Sequence, residues 1–158
     1  MNKTFGNILE SSFGLADRAV FVTGAAGQLG SAIVTGLIGA GARVVATDVS
    51  SAAVEKTRER YDWPSHRIVV AACDITNREA IVAAFGVGSA AFGGIDCLVN
   101  NAGVSTFEPF MERTESSIDW VMDVNIKGTI LLTQEFLRHR EAAASGGAVV
   151  NVASHYGI

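Results

Sequence analysis

The sequence has little cysteine. Cys73 and Cys97 are the only two among 158 residues, too few for a disulfide framework, and each falls in an apolar run that reads as a strand. Both are expected to be buried, reduced thiols in a reducing compartment, with the cytoplasm as the expected location. Basic clusters are also missing. Lys and Arg number 12 against 16 Asp and Glu, a net charge of -4, and no segment gathers the cations, which argues against nucleic acid or an anionic membrane as partner. No metal site is expected. The one long uncharged stretch, residues 19–42 between Arg18 and Arg43, reaches the length of a membrane span. Its glycines, Thr23, Gln28, Ser31 and Thr35 fit strand, turn and helix better, so no membrane association is expected. Met1 to Glu10 carries one lysine and no apolar block, so no secretory signal is expected.

What is present suits one globular α/β domain: 49% of the residues are hydrophobic and 18% charged. Residues 1–16 read as a tail and 17–158 as the domain. Its centre is Phe21-Val22-Thr23-Gly24-Ala25-Ala26-Gly27-Gln28-Leu29-Gly30, where an apolar run breaks into spaced glycines and a helical pattern resumes. Gly24, Gly27 and Gly30 leave the backbone N–H groups and the positive helix end open to an anion such as a pyrophosphate. The spacing is Gly-x-x-Gly-x-x-Gly, not Gly-x-Gly-x-x-Gly, and a tight structural turn is the alternative. Context supports the anion: a second strand, residues 42–48, ends in an acidic residue at about the distance a dinucleotide site requires. The Asp48 carboxylate can accept from both hydroxyls of an adenosine ribose, which favours NAD. A 2′-phosphate at ~4 Å would be repelled by roughly 4 kcal/mol per unit charge, and Arg43 lies about 16 Å away along the strand. Asp48 can also cap the next helix, and the two roles are compatible.

Further along, Leu29, Ile33, Gly36, Leu37 and Ala40 make one apolar helix face, with Gly36 allowing close packing on the sheet. A charged helix over residues 50–61 closes at Trp63-Pro64. A third strand, residues 67–74, ends in Asp74-Ile75, where the carboxylate either reaches an adenine amino group or caps the helix opening near Asn77. That helix buries Ile81, Phe85, Gly88 and Phe92, while Gly86 and Gly88 cost about 1 kcal/mol each and fray its far end. A fourth strand stops in Asn100-Asn101-Ala102-Gly103. One long helix is expected over residues 114–140, with Asn125 inside the stripe Ile118, Val121, Met122, Asn125, Thr129, Leu132, Thr133, Phe136 and Leu137. A buried amide there needs a specific partner. A fifth strand, residues 148–153, presents Ser154.

At Asn100-Asn101-Ala102-Gly103 the chain resembles the classical short-chain dehydrogenase/reductase family. The likeness takes in Thr23-Gly24, Asp48, Asp74-Ile75, Asp123-Val124-Asn125 and Asn151-Val152-Ala153-Ser154. One departure is Gln28, which holds the place of a glycine in the classical turn and must find room or point outward. The resemblance implies a Rossmann-type doubly wound parallel sheet, here truncated after its fifth strand, and an NAD(H)-dependent enzyme interconverting an alcohol and a ketone. It implies that Gly24, Gly27, Gln28, Leu29 and Gly30 meet the pyrophosphate and Asp48 with Val49 the ribose. Asp74 and Ile75 would meet the adenine, and Asn101, Ala102 and Gly103 the rest of the cofactor. Asn125 is then a catalytic asparagine that holds a water, with a backbone contact as the plainer alternative, and Ser154 orients the substrate.

The family's Tyr-x-x-x-Lys pair does not occur in this chain. Tyr156 is too close to Ser154 to supply it, and His139 and His155 are the titrating groups left, so the chain alone is expected to be inactive. Its fifth strand is expected to form an exposed edge and to favour a homo-oligomer. Glu108, Phe110 and Met111 either line the substrate pocket or start the long helix. A non-catalytic NAD-binding module and, more remotely, a methyltransferase-like domain are the competing readings.

Overall fold

The computed structural model describes residues 14–154; expectations for residues 1–13, His155 and Tyr156 lie outside the described residues. Five strands form one parallel sheet in the order β3-β2-β1-β4-β5. They are β1 (Ala19–Thr23), β2 (Arg43–Asp48), β3 (Ile68–Ala72), β4 (Cys97–Asn100) and β5 (Ala148–Asn151). The helices between them are α1 (Gln28–Gly39), α2 (Ser51–Arg60) and α3 (Arg78–Phe92). Between β4 and β5 run α4 (Glu115–Met122), a π-helical segment (Asp123–Gly128) and α5 (Thr129–Ala142) in unbroken succession. This is the doubly wound arrangement that the family resemblance implies. Among the described residues no helix is long and apolar enough to cross a membrane.

The apolar runs of β1 and β2 are covered on both sides because alternate residues face opposite layers. Phe21, Val45 and Leu98 join α3 and α5 in one core through Phe85, Leu132 and Phe136. Val20, Val22, Val44 and Ala46 join α1 and α2 in the other through Val34 and Val54. Phe21 stacks on Phe85 with ring centroids 4.4 Å apart. Each fully buried side chain of this size stabilises the fold by about 1.5–3 kcal/mol.

Two helices differ from expectation. In α1 the buried positions are Gly30, Ser31 and Val34, whereas Leu29 is 54% exposed and Gly36 faces open space. The contact stripe is set by the small residues that let α1 approach the sheet, and counting large apolar residues misses that phase. In α3 the far end is not frayed: the helix continues to Phe92 and stops at Gly93, a left-handed C-cap with φ 80°. Its two glycines are unequal. A Cβ on Gly88 would sit 2.6 Å from Val45 Cγ2 and 3.1 Å from Ile95 Cδ1, while one on Gly86 meets nothing within 4 Å. Packing at Gly88 therefore offsets its poor helix propensity.

At the amino-terminal rim of the sheet, Arg140 ties α5 to the strands. Its Nη1 donates to the Ile95 carbonyl at 2.9 Å and its Nε to that of Gly146 at 2.8 Å. Asp96 Oδ2 accepts the Ala19 N–H at 3.0 Å. His139 is packed between α3 and α5, with Nε2 2.9 Å from Ser89 Oγ and its ring tilted on Phe85, an internal position at a helix interface. The β5 edge is as exposed as expected, with Val149 at 37% and Val150 at 53%. Both cysteines are free, Cys73 buried and Cys97 half-buried. Burial, with Asp74 beside it, pushes the Cys73 thiol from its ordinary 9.0 up to about 12.

Gly86→Ala is expected to raise stability by about 0.5–1 kcal/mol, and Gly88→Ala to lower it by about 1–3 kcal/mol, as read by urea unfolding. Cys73 remains a neutral thiol in the folded chain at pH values where the unfolded chain ionises it. The fold should therefore lose stability as pH rises from 9.0 toward about 12, a slope that Cys73→Ala should reduce in denaturation titrations.

Candidate functional site

The carboxyl ends of β1 and β4 meet where the strand order reverses, the position at which open parallel sheets bind ligands. Thr23 closes β1, and its Oγ1 accepts the N–H groups of Asn101 and Ala102, each at 3.0 Å. Asn101 Nδ2 donates to the carbonyls of Thr23 at 2.9 Å and Gly24 at 3.3 Å. The chain can turn here because Gly24 adopts φ 66°. It can start a helix at once because Gly30 lies against the Gly24 carbonyl, where a Cβ would overlap it. Gly27 is the N-cap of α1 and provides no side-chain cap, so the first N–H groups of the helix have no intrahelical acceptor and form an anion site. Gln28 and Leu29 are exposed at its mouth, which is how Gln28 finds its room.

Asp48 sits beside this turn. Its Oδ2 accepts the Ala26 N–H at 3.2 Å and its Oδ1 the Val49 N–H at 2.9 Å, leaving each oxygen capacity for another donor. It does not cap α2: Ser50 does, accepting from Ala53 N at 3.2 Å. Of the two α2 cations that could reach toward this region, Lys56 and Arg58, Arg58 is paired with Glu55 at 2.7 Å. Asp74 likewise is no helix cap, since Asn77 Oδ1 accepts from Ala80 N at 2.9 Å. Its Oδ1 accepts the Thr76 N–H at 2.9 Å and hydroxyl at 2.7 Å, which fixes the loop that carries Ile75.

These groups border a cavity of about 720 Å³ along the rim, within the usual range for small-molecule sites. All twelve residues expected to meet a cofactor, from Gly24 through Asp48 and Val49 to Gly103, are on its wall. Sequence reasoning missed Cys73, Thr76, Val104, Trp120, Val124 and Val152. Cys73, Thr76 and Val104 flank identified motifs and were available by adjacency. Val124 and Val152 likewise lie within quoted motifs; Trp120 does not, and the expected helix was counted at one period straight through residues 123–128, where the backbone is π-helical. Ile118 and Met122, placed inside by that count, are 46% and 52% exposed.

Asn125 and Ser154 are not on the cavity wall. Asn125 makes the backbone contact given above as the plainer alternative: Oδ1 accepts the Val104 N–H and Nδ2 donates to the Val104 carbonyl, both at 2.8 Å. Ser154 lies past β5, exposed, two residues beyond Val152 of the wall. Asn100 bonds sideways, from Nδ2 to Asn151 Oδ1 at 2.8 Å and Thr133 Oγ1 at 3.2 Å, and its Oδ1 is buried with no partner among the described residues. Glu108, Phe110 and Met111 do not line the cavity. Phe110 and Met111 belong to a single 3₁₀ turn (Phe110–Glu112), 83% and 91% exposed. The Ser117 hydroxyl, 2.6 Å from Glu108 Oε1, holds that carboxyl below its ordinary range.

The site thus offers anion-binding N–H groups, a carboxylate suited to a diol, and apolar walls. Its titratable wall residues are Asp48, Asp74 and the neutral Cys73, and no group of metal-ligating residues occurs among the described residues.

Comparison with known proteins agrees with this geometry. The family model described as short chain dehydrogenase matches residues 18–158. D-threitol dehydrogenase of Mycolicibacterium smegmatis is 35% identical over 148 residues, which are 92% of this chain and 56% of the relative. Cis-4-hydroxycyclohexanecarboxylate dehydrogenase of Sinomonas cyclohexanicum is 36% identical over 143 residues, 90% of this chain and 57% of the relative. A short-chain type dehydrogenase/reductase from Mycobacterium marinum superposes with a TM-score of 0.86 at 23% identity, covering 92% of this chain and 59% of that one, a likeness of fold. The chain spans little more than half the length of the curated relatives it matches. The family model covering residues 18–158 and relatives at 35–36% identity over about nine-tenths of the chain show that it belongs to the short-chain dehydrogenase/reductase family.

Proposed function

We propose that the chain is the NAD(H)-binding part of a dehydrogenase that interconverts a small-molecule alcohol and a ketone. The observation that carries this reading is Asp48, held by the Ala26 N–H at 3.2 Å on the same cavity wall as the uncapped start of α1. The donor set fits the group. The N–H groups opening α1 bind and neutralise the pyrophosphate, with no side chain of Gly27 or Gly30 in the way. Asp48 accepts from the ribose hydroxyls and repels a 2′-phosphate, so NAD is preferred to NADP. Asp74 and Ile75 flank the adenine, and residues 101–103 border the remainder.

When bound, the nicotinamide supplies the hydride acceptor or donor. Ser154 orients the reacting oxygen through its hydroxyl. Asn125 positions the Gly103-Val104 backbone. An unperturbed serine hydroxyl is a poor general acid near neutral pH, so proton transfer depends on a Tyr-x-x-x-Lys pair that this chain does not contain, and the chain alone is inactive. We place the protein in the cytoplasm and propose that it is a homo-oligomer.

In calorimetric titrations NAD should bind and NADP at least about tenfold more weakly. Asp48→Ala should weaken NAD and narrow the gap; a chain that binds neither dinucleotide overturns the reading. Asn125→Ala removes both bonds to Val104 and should cost about 2–4 kcal/mol in chemical denaturation; a cost near zero would refute its positioning role.

A further inference from the structure

Trp120 has no part in the motifs that define the cavity, yet it forms part of the wall. Its position follows from the helix that carries it. Trp120, Val124 and Gly128 succeed one another at four-residue spacing along the run from α4 through the π segment, and the Gly128 end is seated on the loop after β3. A Cβ on Gly128 would lie 2.7 Å from Ile75 Cγ1 and 3.1 Å from the Ile75 carbonyl. Val124 packs against the core that contains Cys73 and Ile75. One step further out along the same helix face, Trp120 lines the cavity that Ile75, Thr76 and Val124 also line.

The side chain is 48% exposed, an unusual state for an indole on an apolar cavity wall. Trp63 shows the contrast: it is 5% exposed, its Nε1 donates to Thr35 Oγ1 at 2.9 Å, and it is absent from this cavity. Asp74 has one carboxylate oxygen engaged by Thr76, so the wall combines a polar edge, the aliphatic Ile75 and a large aromatic surface. That combination suits a flat heteroaromatic ring with an amino group.

We propose that Trp120 is the aromatic wall of the purine end of the site and binds the adenine ring by packing against its indole. The proposal rests on the NAD reading above and adds to it a binding residue that the family resemblance does not supply. It is tested with ADP-ribose and nicotinamide mononucleotide as separate probes on the 158-residue chain, by calorimetry and by tryptophan emission. Trp120→Ala should weaken ADP-ribose binding about tenfold and leave nicotinamide mononucleotide unchanged, while Trp120→Phe retains most of the affinity. Quenching of emission by ADP-ribose should persist in Trp63→Phe and vanish in Trp120→Phe. Unchanged ADP-ribose affinity in Trp120→Ala overturns the role of Trp120 and leaves the NAD reading standing. Failure of the unsubstituted chain to bind ADP-ribose overturns both.

Discussion

The clamp between Thr23 and Asn101 is the constraint on which the rest of the rim depends. It joins the ends of β1 and β4 through four hydrogen bonds of 2.9–3.3 Å, and it leaves no room for side chains at the turn that follows. Gly24 must then be glycine twice over: its φ of 66° disfavours a Cβ, and one placed there would sit 3.0 Å from the Ala102 Cα. Gly30 must be small because its Cβ would overlap the Gly24 carbonyl. With both positions open, α1 begins directly against the sheet end, and its unbonded N–H groups face the place where the strand order reverses. Asp48 is drawn into the same arrangement through Ala26, and the Ala25 N–H reaches the Thr47 carbonyl at 2.9 Å. A neutral hydrogen bond contributes about 1 kcal/mol net, but leaving buried partners unmade costs about 1–3 kcal/mol each. The clamp is therefore hard to loosen one bond at a time.

The far wall is fixed by a second amide. Asn125 holds both backbone groups of Val104, and a Cβ on Gly103 would lie 3.4 Å from Asn125 Oδ1. The chain leaving β4 is thus held between Asn101 on one side and Asn125 on the other. The π-helical stretch around Asn125 makes this possible in a helix that must also bury Leu132 and Phe136 in the core. A regular helix running through residues 123–128 would turn these two requirements out of phase. Short π segments of this kind recur at functional sites, and here the local geometry serves the rim and the core at once.

What the sequence made legible followed the same division. Strands β1 to β4 are apolar runs bounded by glycine, aspartate or asparagine, and their carboxyl ends carry the motifs, so the wall residues from Gly24 to Gly103 could be named in advance. Legibility failed where a helix meets the sheet through small residues. The α1 stripe runs through Gly30 and Ser31, not Leu29 and Gly36, because closeness of approach and not side-chain size chose the face. Gly88 was placed on the buried face of α3, where it lies, but its cost was counted without the close contact that offsets it. Trp120 lies in no quoted motif, and the helical period changes at residues 123–128, a change that no propensity announces. Asp48 and Asp74 were each open to a capping role, and that question was settled only by seeing Ser50 and Asn77 cap the helices instead.

The polar groups of the rim fall into two sets, and the difference bears on what this part of the protein can do. Thr23, Asn100, Asn101 and Asn125 turn their side chains to backbone or to one another; they set the shape. What remains open to a ligand is the amino end of α1, the unused capacity of Asp48 and Asp74, and the apolar surfaces of Val49, Ile75, Val104 and Trp120. Cys73, also on the wall, is held as a thiol to about pH 12. The rim thus separates the polar groups that hold the chain ends in place from those whose remaining capacity faces the cavity.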